Sequence, residues 1–288
     1  MKHLLSIAFV IVVAGCGGGG DRPPGAGTPA PSQGTGTSTA AQIDGANYLD
    51  AFAIGTVALS RAIDAAQIVG IALHGTFGLD TPGGQDCWAA GALEWHEWYD
   101  EDFGFRREYT SVNHPCLSGG VELRSGIVEF VQDHLTLKTV VWRQPPDPTD
   151  QMIDGQYGVK WNSDGAAAIS SGVFFVQRNG RLATYMGVSI IAAPAAPGSP
   201  ARATSGSLQV CSAPFAPQWL TVAASDAGAR LSVTAPDGTR VVITEVAGGT
   251  TSARRFEVFA TDGSSPVVTQ TLTMDDPLVI AAMARAQG

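Results

Sequence analysis

The sequence predicts a mainly β protein: an antiparallel meander of about a dozen strands forming a curled sheet, an open barrel or a sandwich, with one N-terminal helix packed on it. Three observations carry this. Charged residues make up only 15% of the 288, while Gly (35) and Pro (17) are abundant, a balance that disfavours coiled coils and helical bundles. Asn179-Gly180 stands between Val173 to Val176 and Leu182 to Met186, and Asp237-Gly238 between Leu231 to Thr234 and Val241 to Thr244. Both dipeptides supply the positive φ angles that tight hairpins need. The third observation is that helical periodicity is convincing in one stretch only, residues 46–69.

In that stretch Leu49, Phe52, Leu59, Ile63 and Ala66 recur at helical spacing, and Asp50, Arg61, Asp64 and Gln67 fall largely on the other side. Gly55 costs the helix about 1 kcal/mol. Beyond it, further turns are expected at Asp164-Gly165, Asp226-Ala227-Gly228 and Asp262-Gly263. Leu135, Leu137 and Val141 are expected on one face of a strand and Thr136 and Lys138 on the other, which implies a sheet with one dry and one wet side. Two Pro-rich stretches, Gln144 to Asp150 and Ala192 to Ala201, interrupt the strands. The second is read as a loop at 193–203 between a larger unit, 44–192, and a smaller one, 204–288, unless the meander runs through it as one continuous domain. Asp276-Pro277 is placed to open a last short helix running to about Ala284, since Pro suits a first helical turn.

The N-terminus reads as an address. Met1-Lys2-His3 is a short basic segment, Leu4 to Ala14 is apolar apart from Ser6, and small residues precede Cys16, so residues 1–15 are expected to be a secretory signal peptide. The apolar run is too short to span a bilayer, which takes roughly 20 residues. Val13-Ala14-Gly15-Cys16 resembles the lipobox of bacterial lipoproteins, in which the Cys thiol is acylated and becomes the mature N-terminus. The resemblance implies lipid attachment at Cys16, and Gly17 after it implies sorting to the outer membrane, with periplasmic or surface exposure left open. From Cys16 to about residue 43 the composition of Gly, Pro, Ser, Thr and Ala is expected to be a disordered tether of roughly 25 to 30 Å reach. Removing residues 1–15 takes away Lys2 and no acid, so the net charge moves from -9 to -10. An acidic surface excludes the basic stripe that nucleic acid requires, and leaves acyl chains as the membrane attachment.

The body carries two patterns. One is Cys87, then Gly91-Ala92-Leu93-Glu94-Trp95, the acidic Asp100-Glu101-Asp102, Cys116, Gly119-Gly120-Val121-Glu122-Leu123 and Gly126-Ile127-Val128-Glu129-Phe130. The other is Ser205 to Val210, Gly228 to Thr234, Asp237 to Thr244 and Phe256 to Gly263. Together they resemble a group of β-rich secreted bacterial proteins and lipoproteins of unknown function, over roughly residues 85–275. In that group the second pattern often ends in a richer Asp-Gly repeat. Here Asp262-Gly263 is followed by Ser264-Ser265-Pro266, which argues against a cation site.

Three cysteines remain after Cys16 in an oxidising compartment. A local disulfide between Cys87 and Cys116, bracketing one hairpin, is the favoured pairing and would stabilise by about 3 to 4 kcal/mol. Pairing of either with Cys211 stays open, and one thiol is left over in each case, Cys211 in the favoured one.

Motifs for chemistry are absent from the sequence: no Gly-x-Ser-x-Gly, no His-Glu-x-x-His, no phosphate loop and no Cys-x-x-Cys. The candidate general bases are His74, His96, His114 and His134. Glu94 and His96, two apart on a strand, have the spacing to share a metal ion, but a strand running into a solvated acidic turn at Asp100 to Asp102 is the favoured reading. A calcium loop starting at Asp100 fails at Gly104 and Ser111. The six Trp are scattered over several strands and are read as packing residues. The expectation is therefore a non-enzymatic, membrane-tethered binding or structural module with no metal or cofactor, whose partner is a protein or an apolar ligand. A carrier of lipid in a cavity between sheet and helix is the alternative, and a hydrolase is third.

Overall fold

The computed structural model describes residues 41–72, 82–86, 92–101, 104–112, 116–118, 121–131, 134–143, 150–161, 166–179, 181–193, 202–246 and 253–287. Helix α1 (Tyr48–Ala72) comes first, followed by β1 (Pro82–Asp86), β2 (Ala92–Asp100), β3 (Gly104–Val112), β4 (Cys116–Ser118) and β5 (Val121–Val131). Then come β6 (His134–Arg143), β7 (Gln151–Trp161), β8 (Ala167–Arg178), β9 (Arg181–Ala193), β10 (Arg202–Cys211) and β11 (Leu220–Ser225). The chain ends with β12 (Arg230–Thr234), β13 (Arg240–Glu245), β14 (Ala253–Phe259), β15 (Val268–Thr273) and helix α2 (Pro277–Gln287). All fifteen strands form one antiparallel sheet in which each strand lies beside its sequence neighbours, with the short β4 alone set off the path against β5. The sheet is open. β9 and β10 pair directly, so the sheet runs on across the segment expected as a loop at 193–203, of which Ala193, Arg202 and Ala203 are strand residues and 194–201 lie outside the described residues.

The sheet curls around α1, which touches β5 and every strand from β7 to β13. Ala51, Phe52, Ala53 and Ile54 are all buried, and four successive residues cover nearly the whole circumference of a helix. Ala58, Leu59, Ala62, Ile63 and Ala65 continue the burial on the turns that follow. A helix covered on nearly all sides belongs to a core, so the amphipathic pattern expected from sequence understates its enclosure. Gly55 is explained here: a Cβ would stand 2.7 Å from Val233 Cγ2, so the missing side chain lets the backbone press against β12. Phe52 meets Phe256 edge-on at 5.1 Å, and α2 closes the remaining side, with the Arg285 guanidinium on the Asp50 carboxylate at 2.6 Å.

The entry to α1 is a reciprocal cap. The Asp44 carboxylate accepts from Asn47 N–H, and Asn47 Oδ1 accepts from Asp44 N–H. Ile43 N–H donates to Thr239 Oγ1 at 2.7 Å, which fixes the segment to the β12–β13 turn. Asp276 likewise opens α2 by accepting from Leu278 N–H.

Curvature comes from irregularities concentrated in the middle of the sheet. Register shifts occur between β5 and β6, β6 and β7, β7 and β8, and β9 and β10, whereas the pairs from β10 to β15 keep a constant register. Bulges bend and twist a strand, so a row of them coils the sheet. At the β9–β10 shift Gly206 has φ +109, and a Cβ there would lie 2.1 Å from the Ser189 carbonyl oxygen. No other residue fits. The β6–β7 shift also corrects the expected face of β6. Val140 and Trp142 are fully buried while Val141 is half-buried, because the shift between Leu137 and Val140 changes the alternation.

The hairpin dipeptides lie where expected, with one difference of mechanism. Asn179 has φ 49 between paired Arg178 and Arg181. At the β12–β13 turn only Gly238 takes a positive φ, and Asp237 works through its side chain, accepting from Thr239 N–H and Oγ1. Asp226, Ala227 and Gly228 all have positive φ in a one-turn 3-10 segment, and Asp262 does so at the β14–β15 turn.

Candidate binding surface and the polar cluster behind it

Strands β7 to β9 pack against a polar cluster on α1 on their inner side and carry an apolar patch on their outer side, where a one-sided sheet is usually polar. Inward, Arg61 and Asp64 project from α1 as a buried ion pair with Nη1 to Oδ2 at 3.5 Å. The Arg61 guanidinium stands 5.2 Å from the ring centre of Trp142 on β6. Beside them Tyr157, Phe174 and Tyr185 stack across three adjacent strands, with centroids 5.1 and 4.3 Å apart. Burial raises the Asp64 carboxyl to about 7, a shift that the neighbouring Arg61 and Ser60 reduce but do not cancel. Burial likewise pushes the Tyr185 hydroxyl up to about 12, and burial raises the Tyr157 hydroxyl well above its ordinary value, with help from Tyr185 and Asp154.

Three buried polar atoms in this region, Trp142 Nε1, Gln151 Oε1 and Tyr157 Oη, have no hydrogen-bond partner among the described residues. Trp142 and Gln151 face each other across β6 and β7. The Arg61–Asp64 pair peg the rotation of α1, because turning the helix would separate one buried charge from its neighbours. The described space between α1 and β7–β13 is occupied by side chains, among them Ile153, Phe174, Ile190, Val222, Val233 and Phe256, all buried.

Outward, Val173 (39% exposed) and Phe175 (40%) on β8 lie next to Leu182 (56%) on β9. The half-buried Met152 and Met186 extend the patch, with Val173 opposite Met186 and Gln177 opposite both Leu182 and Met152. Farther along the same strands small residues replace large ones. Gly158, Ser170, Ser189 and Ser207 line up across four strands. Gly158, Ser170 and Ser189 floor part of a depression of about 590 Å³ bounded by Lys160 and Ile191. A second depression, about 360 Å³, lies between the start of α1, β15 and α2.

The residues singled out from sequence do not converge on these features. Cys16 and Cys87 lie outside the described residues, as do His74 and His114, while Cys116 opens β4 and His134 opens β6. Cys211 is a fully buried thiol. His96 is exposed on β2 opposite Glu108 of β3. β2 runs to Asp100 and pairs with β3, Glu101 after it is exposed, and Asp102 lies outside the described residues. Among the described residues no group of three His, Cys, Asp or Glu side chains is placed to hold a metal ion, and no helix is long and apolar enough to cross a membrane. Sequence reading missed the polar cluster, although Arg61 and Asp64 stand on the side first assigned to solvent. The patch was missed because its residues read as ordinary strand interior. Comparison with protein-family models, curated proteins and solved structures finds no match.

Proposed function

We propose that the protein is a cell-envelope lipoprotein, attached through acyl chains on Cys16 and held by a tether, whose β domain is a non-enzymatic binding module. Its docking surface is the outer face of β8 and β9. The observation that carries this reading is the patch of Val173, Phe175 and Leu182, because the outward side of a one-sided antiparallel sheet is ordinarily polar. The filled space beneath α1 favours surface binding over carriage of a lipid inside the sheet. The leader, the Val13 to Cys16 pattern and the acidic charge support the envelope location and a partner other than nucleic acid.

Two measurements test the two halves separately. Palmitate labelling and membrane fractionation of the Cys16→Ser variant should show loss of label and release from the membrane; retention of both would refute the anchor. A photo-crosslinking residue at Phe175 should give a discrete adduct in intact cells, while the same residue at exposed Thr221 on β11 gives none. Identical adducts at the two positions, or none at Phe175, would refute the docking surface.

A further inference from the structure

An open sheet ends in two edges, and an edge strand offers unpaired N–H and C=O groups to any other strand. Among the described strands β1 and β15 each have one neighbour, β2 and β14. The two edges differ in character. β1 reads Pro82-Gly83-Gly84-Gln85-Asp86, and a Pro, two Gly and a charge are features that blunt an edge. β15 reads Val268-Thr269-Gln270-Thr271-Leu272-Thr273, with no charge, no Pro and no Gly, and with four β-branched residues. Thr269, Gln270 and Thr271 are exposed in succession, as befits an uncovered edge, and β15 keeps an unshifted register along β14. The edge is regular and open to pairing.

The residue order says what fits it. Val268-Thr269-Gln270-Thr271-Leu272 has the same character read from either end about Gln270. Facing residues of an antiparallel pair point to the same side of the sheet. Two copies paired about Gln270 therefore place Val268 opposite the partner's Leu272 and Thr269 opposite the partner's Thr271. This parity preserves the faces: Gln270, which the Tyr48 hydroxyl contacts, and buried Leu272 stay on the helix side, whereas a one-residue slip would invert them. Charge does not oppose it: on β14, Arg255 and Glu257, level with Thr271 and Thr269, pair with each other at 2.7 Å and bring no unpaired charge to the seam.

We propose that β15 is a self-association edge: a second copy of this chain adds its own β15 antiparallel, centred on Gln270, and joins two sheets across a two-fold axis. Such an interface is isologous, so assembly closes at two copies.

The full chain in detergent, measured by light scattering after correction for bound detergent, should have twice the monomer mass. Gln270→Cys should form a disulfide-linked dimer on mild oxidation, above the background of the unsubstituted chain, since facing Cα atoms lie roughly 5 Å apart. The double variant Thr269→Lys, Thr271→Lys should be monomeric and still folded by circular dichroism, because both positions are exposed in the single chain. A monomeric unsubstituted chain would overturn the proposal, as would an assembly larger than two, a dimer that survives both lysines, or no crosslink at position 270.

Discussion

Asp64 is the residue whose chemistry reaches farthest into the behaviour of the fold. Its carboxyl titrates near 7 inside the structure against an ordinary 3.8, because loss of hydration outweighs the attraction of Arg61. Between those values the folded chain holds a proton that the unfolded chain releases. The contribution of this group to stability is therefore complete below about pH 4 and is lost as pH rises through about 7. Melting temperatures recorded from about pH 5 to pH 8 should fall with rising pH, and Asp64→Asn should flatten that slope; a variant with an unchanged slope would assign the effect to other groups. Tyr157→Phe keeps the ring and removes a buried hydroxyl that has no partner among the described residues, so denaturant unfolding should show unchanged stability or a gain of about 1 kcal/mol. Gly55→Ala sets two effects against each other. Helix propensity gains up to about 1 kcal/mol, but a Cβ 2.7 Å from Val233 is overpacking that costs about 1 to 3 kcal/mol. A net loss is expected in the same assay.

At the scale of elements, the legible parts of this fold were those with a local cause. Asn179 and Gly238 adopt the left-handed backbone their types favour, and Asp276-Pro277 starts a helix because the carboxylate and the ring both suit a first turn. What was not legible depended on pairing between distant residues. The face of β6 could not be read from alternation because a register shift against β7 breaks it at Val140. The same holds for Gly206, whose need for an absent Cβ arises from the Ser189 carbonyl on β9. Gly206→Ala should accordingly prevent folding or cost more than about 3 kcal/mol, read from the yield of folded chain and its denaturant midpoint. The polar cluster on α1 escaped notice for a related reason: nothing in the spacing of Arg61 and Asp64 says that a sheet closes over the charged side of a helix as well as the apolar one.

At the scale of the whole molecule, the described strands form one sheet. Since β9 and β10 are hydrogen-bonded along their length, a chain nicked by protease within 194–201 should still run as one species on a sizing column under native conditions and separate only in denaturant. Dissociation without denaturant would mean that the pairing contributes little. The same topology sets the order in which the structure can come into being. Strand neighbours in space are strand neighbours in sequence, so the meander can grow by local closure from its N-terminal end, the fast kind of contact to form. Helix α1 is the exception. It is synthesised before any strand, yet part of its cover is β10 to β13, and Gly55 meets Val233, a residue synthesised far later. A chain made N-terminus first therefore presents its most apolar helix unshielded until most of the sheet has followed, and in this interval the exposed apolar surface invites aggregation.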